Sequence, residues 1–157
     1  MTLLRVVADS SVLIALNDVA LLDRLSPLFE ECLVPRAVQE EIERSVSLRD
    51  WMTPVVLSSP IHPRVAVADL DTGEAEVLTL AIERPGHLVL VDERRARRTA
   101  KALGLPVIGT VGFVVRAKND GLIDSIRPII EELVRSRFFL SDSLIEDALR
   151  DAGEQGD

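Results

Sequence analysis

Four carboxylates in this chain occupy places where solvated acids do not belong. Asp9 ends an apolar run, Leu3, Leu4, Val6, Val7 and Ala8, and is followed by Ser10-Ser11 and a second apolar run, Val12 to Leu16. Asp92 ends the run His87-Leu88-Val89-Leu90-Val91 in the same way. An acid where a buried strand gives way to a helix lies at the carboxyl edge of a parallel sheet, the edge at which open α/β folds bind ligands. Glu41 and Glu74 stand on helical stretches. At about 100° per residue, Glu41 falls between Ala37 and Val38, in an apolar arc completed by Ile42 and Val46, while Glu40 and Glu43 point away. Glu74 lies near the centre of the face made by Val77, Leu78, Ala81 and Ile82, with Glu76 and Glu83 opposite. Each position has a plainer reading as well. Asp9 can cap the helix it precedes, Glu74 can face the helix dipole from the first turn, and Glu41 can be exposed at a helix end.

Carboxylates gathered closely repel one another unless something positive sits among them. Oxygen ligands of this kind suit Mg²⁺ or Mn²⁺ rather than zinc. Beside Asp92 begins a helical stretch whose apolar side is only Ala96, Ala100 and Leu103. Its other side carries Arg94, Arg97, Arg98 and Lys101 within roughly 100° of arc. Acids that hold a metal next to a basic stripe that holds phosphates are what a phosphodiester substrate requires; a solvated helix face is the alternative. The chemistry would be metal-assisted hydrolysis, in which water is the nucleophile. No Ser-His-Asp or Cys-His set competes with it. Cys32 is the only cysteine and reads as a small core residue, and His62 and His87 lack the spacing of a zinc site.

The elements that must position these residues follow from apolar patterning and punctuation. Strands are expected over 3–8, at Cys32-Leu33-Val34, at Val55-Val56-Leu57 as an edge, over 87–91, and at Pro106-Val107-Ile108. Helices are expected from Val12, over 19–25 with Asp18 as its cap, over 35–46, from Asp71-Thr72-Gly73 to near Arg84, over 93–103, 110–118 and 125–135, and after Ser141-Asp142. Pro60 to Ala68 reads as a connection. Strands alternating with helices predict a three-layer α/β/α sandwich with a central parallel sheet. One domain is expected over 1–157, with a core of about 1–122 and an appended helical extension over about 123–157.

Composition bounds the function classes. The chain has 157 residues, a formal net charge of −8, 47% hydrophobic and 28% charged residues. This is the profile of an ordinary globular domain. A net charge of −8 argues against nucleic-acid binding by bulk charge alone, and leaves room for a local basic face. Aromatics make up 3% with no Tyr, so the stacking platforms of sequence-reading RNA modules are not expected. No run approaches the roughly 20 apolar residues of a membrane span, and the N-terminus lacks a signal peptide's basic and hydrophobic regions. A cytoplasmic, non-membrane protein is expected, in keeping with its single cysteine.

Together these residues resemble a PIN domain, the family of metal-dependent ribonucleases that includes the VapC-type toxins of toxin–antitoxin pairs. The matching stretches are VADSSVLIAL around Asp9, VPRAVQEEI around Glu41, LDTGEAEVLTLA around Glu74 and LVLVDERRAR around Asp92. The stretch GLPVIGTVGFVVRAK and the helices after it resemble a subgroup of short stand-alone prokaryotic PIN proteins. The resemblance implies a PIN-like fold and a four-acid pocket of Asp9, Glu41, Glu74 and Asp92 around one or two Mg²⁺ or Mn²⁺ ions. It also implies hydrogen-bond support from Ser11 and Thr110, and cleavage of single-stranded RNA. The third acid is Glu74, where many of the toxins have Asp. A homodimer and an antitoxin protein are the partners it implies; Ile126, Ile129, Ile130, Leu133, Phe138 and Phe139 are expected to offer spare apolar surface for an interface. A non-catalytic PIN-like module that binds RNA or protein is the alternative. A phosphotransfer receiver fits less well, because neither Lys101 nor Lys118 stands at a strand end.

Overall fold

The computed structural model describes residues 2–136 and 138–156; Met1, Arg137 and Asp157 lie outside the described residues. Five strands form one sheet in the order β3-β2-β1-β4-β5, every neighbouring pair parallel. They are β1 (Leu4–Ala8), β2 (Phe29–Pro35), β3 (Met52–Val55), β4 (Leu88–Leu90) and β5 (Val107–Ile108). Eight α-helices flank the sheet among the described residues: α1 (Ser10–Asp18), α2 (Arg36–Ile42), α3 (Pro63–Ala66), α4 (Thr72–Glu83), α5 (Arg94–Ala102), α6 (Thr110–Asn119), α7 (Arg127–Arg135) and α8 (Asp142–Asp151). This is the three-layer α/β/α arrangement with a central parallel sheet that the sequence predicts.

The central strands are apolar throughout because both of their faces are covered. Val6, Val7, Ala8, Leu33, Val34, Val89 and Leu90 are fully buried. In register, Val6 faces Leu88 and Ala8 faces Leu90. The next residues along these two strands are Asp9 and, one step further, Asp92. The chain runs from β1 outward to β2 and β3, then returns across β1 to β4. The order of strands therefore reverses between β1 and β4, and the two aspartates flank that switch point, where open α/β sheets form a crevice.

Local chemistry sets the helix ends. Helix α4 begins with a capping box: the Asp71 carboxylate accepts from the Glu74 amide (2.8 Å) and the Glu74 carboxylate accepts from the Asp71 amide (3.2 Å). Helix α2 follows Pro35, which cannot cap. Its second amide, that of Ala37, donates instead to Glu76 of α4 at 3.1 Å. Glu76 is thus not the outward-facing acid expected; it ties α4 to the start of α2. The helix expected over 19–25 is absent. Those residues form turns, with Ala20 at φ +58°, and end in a 3-10 turn over Ser26–Leu28. Helix α2 stops at Ile42 rather than Val46. The edge strand ends at Val55, leaving Val56 69% exposed. The connection around Pro63 holds the short helix α3, capped by the His62 imidazole, which accepts from the Arg64 amide.

The apolar residues expected to form an interface mostly belong to the core. Ile126, Ile130 and Leu133 are buried, and Ile129 and Phe138 pack partly against them. Only Phe139 of that set is exposed, at 89%. The helices α7 and α8 share the same hydrophobic cluster as the sheet.

Candidate active site

Asp9 is 3% exposed and sits at the N-cap of α1 in extended backbone. Its Oδ2 accepts from the Ser11 hydroxyl at 3.2 Å, and its Oδ1 is buried without a hydrogen-bond partner. A buried carboxylate oxygen with no partner is costly to ionise. Burial accordingly pushes the Asp9 carboxyl up to about 6, against the pull of the nearby Ser10 amide and Ser11 hydroxyl, with the charges of Glu41 and Asp71 adding to the rise. The capping reading of Asp9 fails in its simple form, because the side chain makes no capping hydrogen bond.

Glu74 is 7% exposed on the inner side of the first turn of α4. Burial raises its carboxyl to about 7; the Asp71 amide opposes this, and the charges of Asp71, Asp9 and Glu93 reinforce it. The capping box explains the position of Glu74 along the helix, and the neighbouring acids define what it faces. Asp92 accepts two short hydrogen bonds from Thr110, one from its amide and one from its hydroxyl, both 2.7 Å. Burial still raises its carboxyl, offset in part by Thr110 and by the charge of Arg97. A Cβ built on Gly109 would stand 2.7 Å from Asp92 Oδ1 and 3.2 Å from an Arg97 guanidinium nitrogen. The absence of a side chain there lets both groups close over the backbone.

Glu41 departs from the expected placement. Its side chain is exposed at the end of α2 rather than inside the apolar arc, since only Ala37, Val38 and Ile42 of that helix are buried. It still turns toward the sheet edge. The Ser10 hydroxyl donates to it at 2.6 Å, and its carboxylate lies over Gly73, where a Cβ would collide with it. Two residues of this edge escaped the sequence reading. Ser10 holds Glu41, and Asp71 adds negative charge beside both Asp9 and Glu74. The D-x-x-E spacing of Asp71 and Glu74 was the available signal, read through the capping box.

Helix α5 buries Ala96 and Ala100 and turns Arg94, Arg97, Arg98 and Lys101 outward. These four line a cavity of about 470 Å³ together with Asp92, Phe139, Ser141 and Leu144. None of the four makes an ion pair among the described residues, whereas Arg95, on the flank of the helix, pairs with Asp69 at 3.2 Å. The remaining chemistry-bearing residues lie elsewhere. Cys32 is fully buried, which pushes its thiol up to about 12. The buried His87 ring meets Glu31 at 2.9 Å.

The donors at the sheet edge are hard carboxylate oxygens, one of them buried and unpartnered, and they fit a divalent ion such as Mg²⁺ or Mn²⁺. Among the described residues no three acids converge on one point. Glu41, Glu74 and Asp92 are each turned onto a local donor. The domain is an open parallel α/β sheet with acids at its switch point, the place where such sheets bind ligands, and a basic groove beside them. The PIN-domain family model matches residues 5–154, and the chain belongs to that family. Its fold is therefore of nuclease type. No curated protein matches the chain. No described helix is long and apolar enough to cross a membrane.

Proposed function

We propose that the protein is a metal-dependent endoribonuclease that hydrolyses phosphodiesters of single-stranded RNA, using Asp9, Glu41, Glu74 and Asp92 to hold Mg²⁺ or Mn²⁺. The observation that carries this reading is the buried, unpartnered Oδ1 of Asp9 at the switch point, amid acids whose ionisation is suppressed. When bound, the ion supplies a Lewis acid that offsets charge on the phosphoryl oxygens and makes water nucleophilic at neutral pH. The chain's own residues do the rest. Thr110 fixes the Asp92 carboxylate by two hydrogen bonds, Ser11 orients Asp9, and Ser10 draws Glu41 toward the sheet edge. Arg94, Arg97, Arg98 and Lys101 hold substrate phosphates along α5, and Arg97 stabilises the negative charge of Asp92.

The test is cleavage of pooled single-stranded RNA in Mn²⁺, with EDTA as control. Asp9→Asn and Asp92→Asn should each lower the rate about a hundredfold or more, roughly 2.7 kcal/mol of barrier, with circular dichroism unchanged. Wild-type cleavage by either variant would sink the assignment. A toxin role with a cognate antitoxin and a homodimer rest on family resemblance, and a cytoplasmic location rests on the single cysteine. Co-purification with the product of an adjacent small gene tests the first of these, and sedimentation tests the second.

A further inference from the structure

The chain holds five aromatic side chains, and three of them stack on one another inside: Phe29 lies 5.2 Å from Phe113 and 5.3 Å from Trp51, ring centre to ring centre. Phe138 is half-buried. Phe139 alone is turned out, at 89% exposure, and it lines the basic cavity along α5. A second cavity, of about 240 Å³, shares Asp92, Arg97, Phe139 and Leu144 with the first and continues over Gly109 and Gly112. One groove is therefore lined by guanidinium and ammonium groups, by Phe139 and Leu144, and by the Asp92 carboxylate where the two cavities meet. The end of α8 adds no anion site here, since Ser141 already caps it and Asp142 occupies its first turn.

An exposed phenyl ring offers a flat apolar face on which a planar group can stack. The charge lining the groove selects what that group is. A polyanion whose planar bases alternate with phosphates satisfies the ring and the charges at once, and base–aromatic stacking tolerates any sequence. We infer that Phe139 is a base-stacking platform: a nucleobase of single-stranded RNA lies on its ring while the adjoining phosphates run along Arg94, Arg97, Arg98 and Lys101 toward Asp92. This rests on the nuclease reading and names the substrate track of the same site. It is compatible with the low aromatic content, which speaks only against the platforms of sequence-reading RNA modules. A single well-placed ring is enough where the fold frees it.

The experiment is equilibrium binding by fluorescence anisotropy in EDTA, where no cleavage occurs. It compares a labelled oligoribonucleotide with an abasic ribose-phosphate chain of equal length. Phe139→Ala should weaken binding of the oligoribonucleotide about tenfold, the order expected for one base–aromatic stack, and leave the abasic chain unchanged. Phe139→Trp should keep wild-type affinity. The double substitution Arg94→Ala/Lys101→Ala should weaken both ligands and flatten the salt dependence of each. If Phe139→Ala binds both ligands as wild type does while the double substitution weakens them, the stack is overturned and the phosphate track stands. If Phe139→Ala instead changes sedimentation without changing RNA binding, the ring belongs to a protein interface and the inference falls. If wild type binds neither ligand, the stack and the nuclease reading fall together.

Discussion

Glu154 and Glu74 are the same side chain in opposite surroundings. Glu154, near the C-terminus, accepts from the Ser125 hydroxyl (2.5 Å) and the Ile126 amide (2.8 Å), and pairs with Lys118 at 3.0 Å. Burial opposes its ionisation, yet these donors hold its carboxyl down at about 2. Glu74, at the sheet edge, has one backbone donor and three negative neighbours, and its carboxyl rises to about 7. The chain can therefore supply a buried carboxylate with partners where only the fold is at stake. It does so by fastening the α7–α8 region to α6. At the switch point it leaves Asp9 and Glu74 short of partners. Charge left uncompensated inside a folded domain lowers its stability, and the proposed ion would relieve that cost at the switch point.

The largest expected effect is on the pH dependence of stability in EDTA. Asp9 and Glu74 have folded values of about 6 and 7, above the unfolded values of about 3.9 and 4.3. The folded state then binds protons more tightly than the unfolded chain, so stability rises as pH falls from 8 to about 5. The gain should be on the order of 3 kcal/mol, read as an increase in melting temperature. Glu154 works the other way. Its depressed value contributes stability that is full above about 4.3 and lost as pH falls toward 2. A melting temperature that does not change between pH 8 and pH 5 would break the comparison.

Next in size is one chemical change made at both sites. Glu154→Gln removes a charge that is well compensated, and should cost about 2 kcal/mol, a fall of about 4–8 °C in melting temperature for a chain of this length. Glu74→Gln keeps an acceptor for the Asp71 amide and removes a repelling charge. It should raise the melting temperature at pH 7.5 in EDTA. Thermal melts of the two variants beside wild type decide it, and shifts of the same sign would mean that the two environments do not differ as described.

The smallest effect comes from the ion. Mn²⁺ at ten times its dissociation constant should add about 1.4 kcal/mol, or about 3–6 °C. That rise should shrink in Glu74→Gln and persist in Glu154→Gln. The same melts with and without Mn²⁺ test it; a rise that survives Asp9→Asn would place the ion somewhere other than the switch point.

The amino-acid order by itself determined whatever depends on near neighbours. The apolar runs ending in Asp9 and Asp92 specify strands with an acid at the carboxyl edge. The Asp71–Glu74 spacing specifies the start of α4, and the alternation of Ala96 and Ala100 with Arg94, Arg97, Arg98 and Lys101 specifies a helix with a basic face. These patterns are local because hydrogen bonds within a helix and the pleat of a strand repeat every few residues. Tertiary structure decided the rest. It set β1 against β4, so that two acids more than 80 residues apart flank one crevice. It swung Glu41 out of its apolar arc onto Ser10 and Gly73, turned Glu76 into a cap for α2, and buried Ile126 and Ile130, which read as an interface. It also brought Phe139 into the cavity along α5. Such placements depend on which surfaces meet when the elements pack, and no spacing along the chain encodes the partner on the far side of a groove.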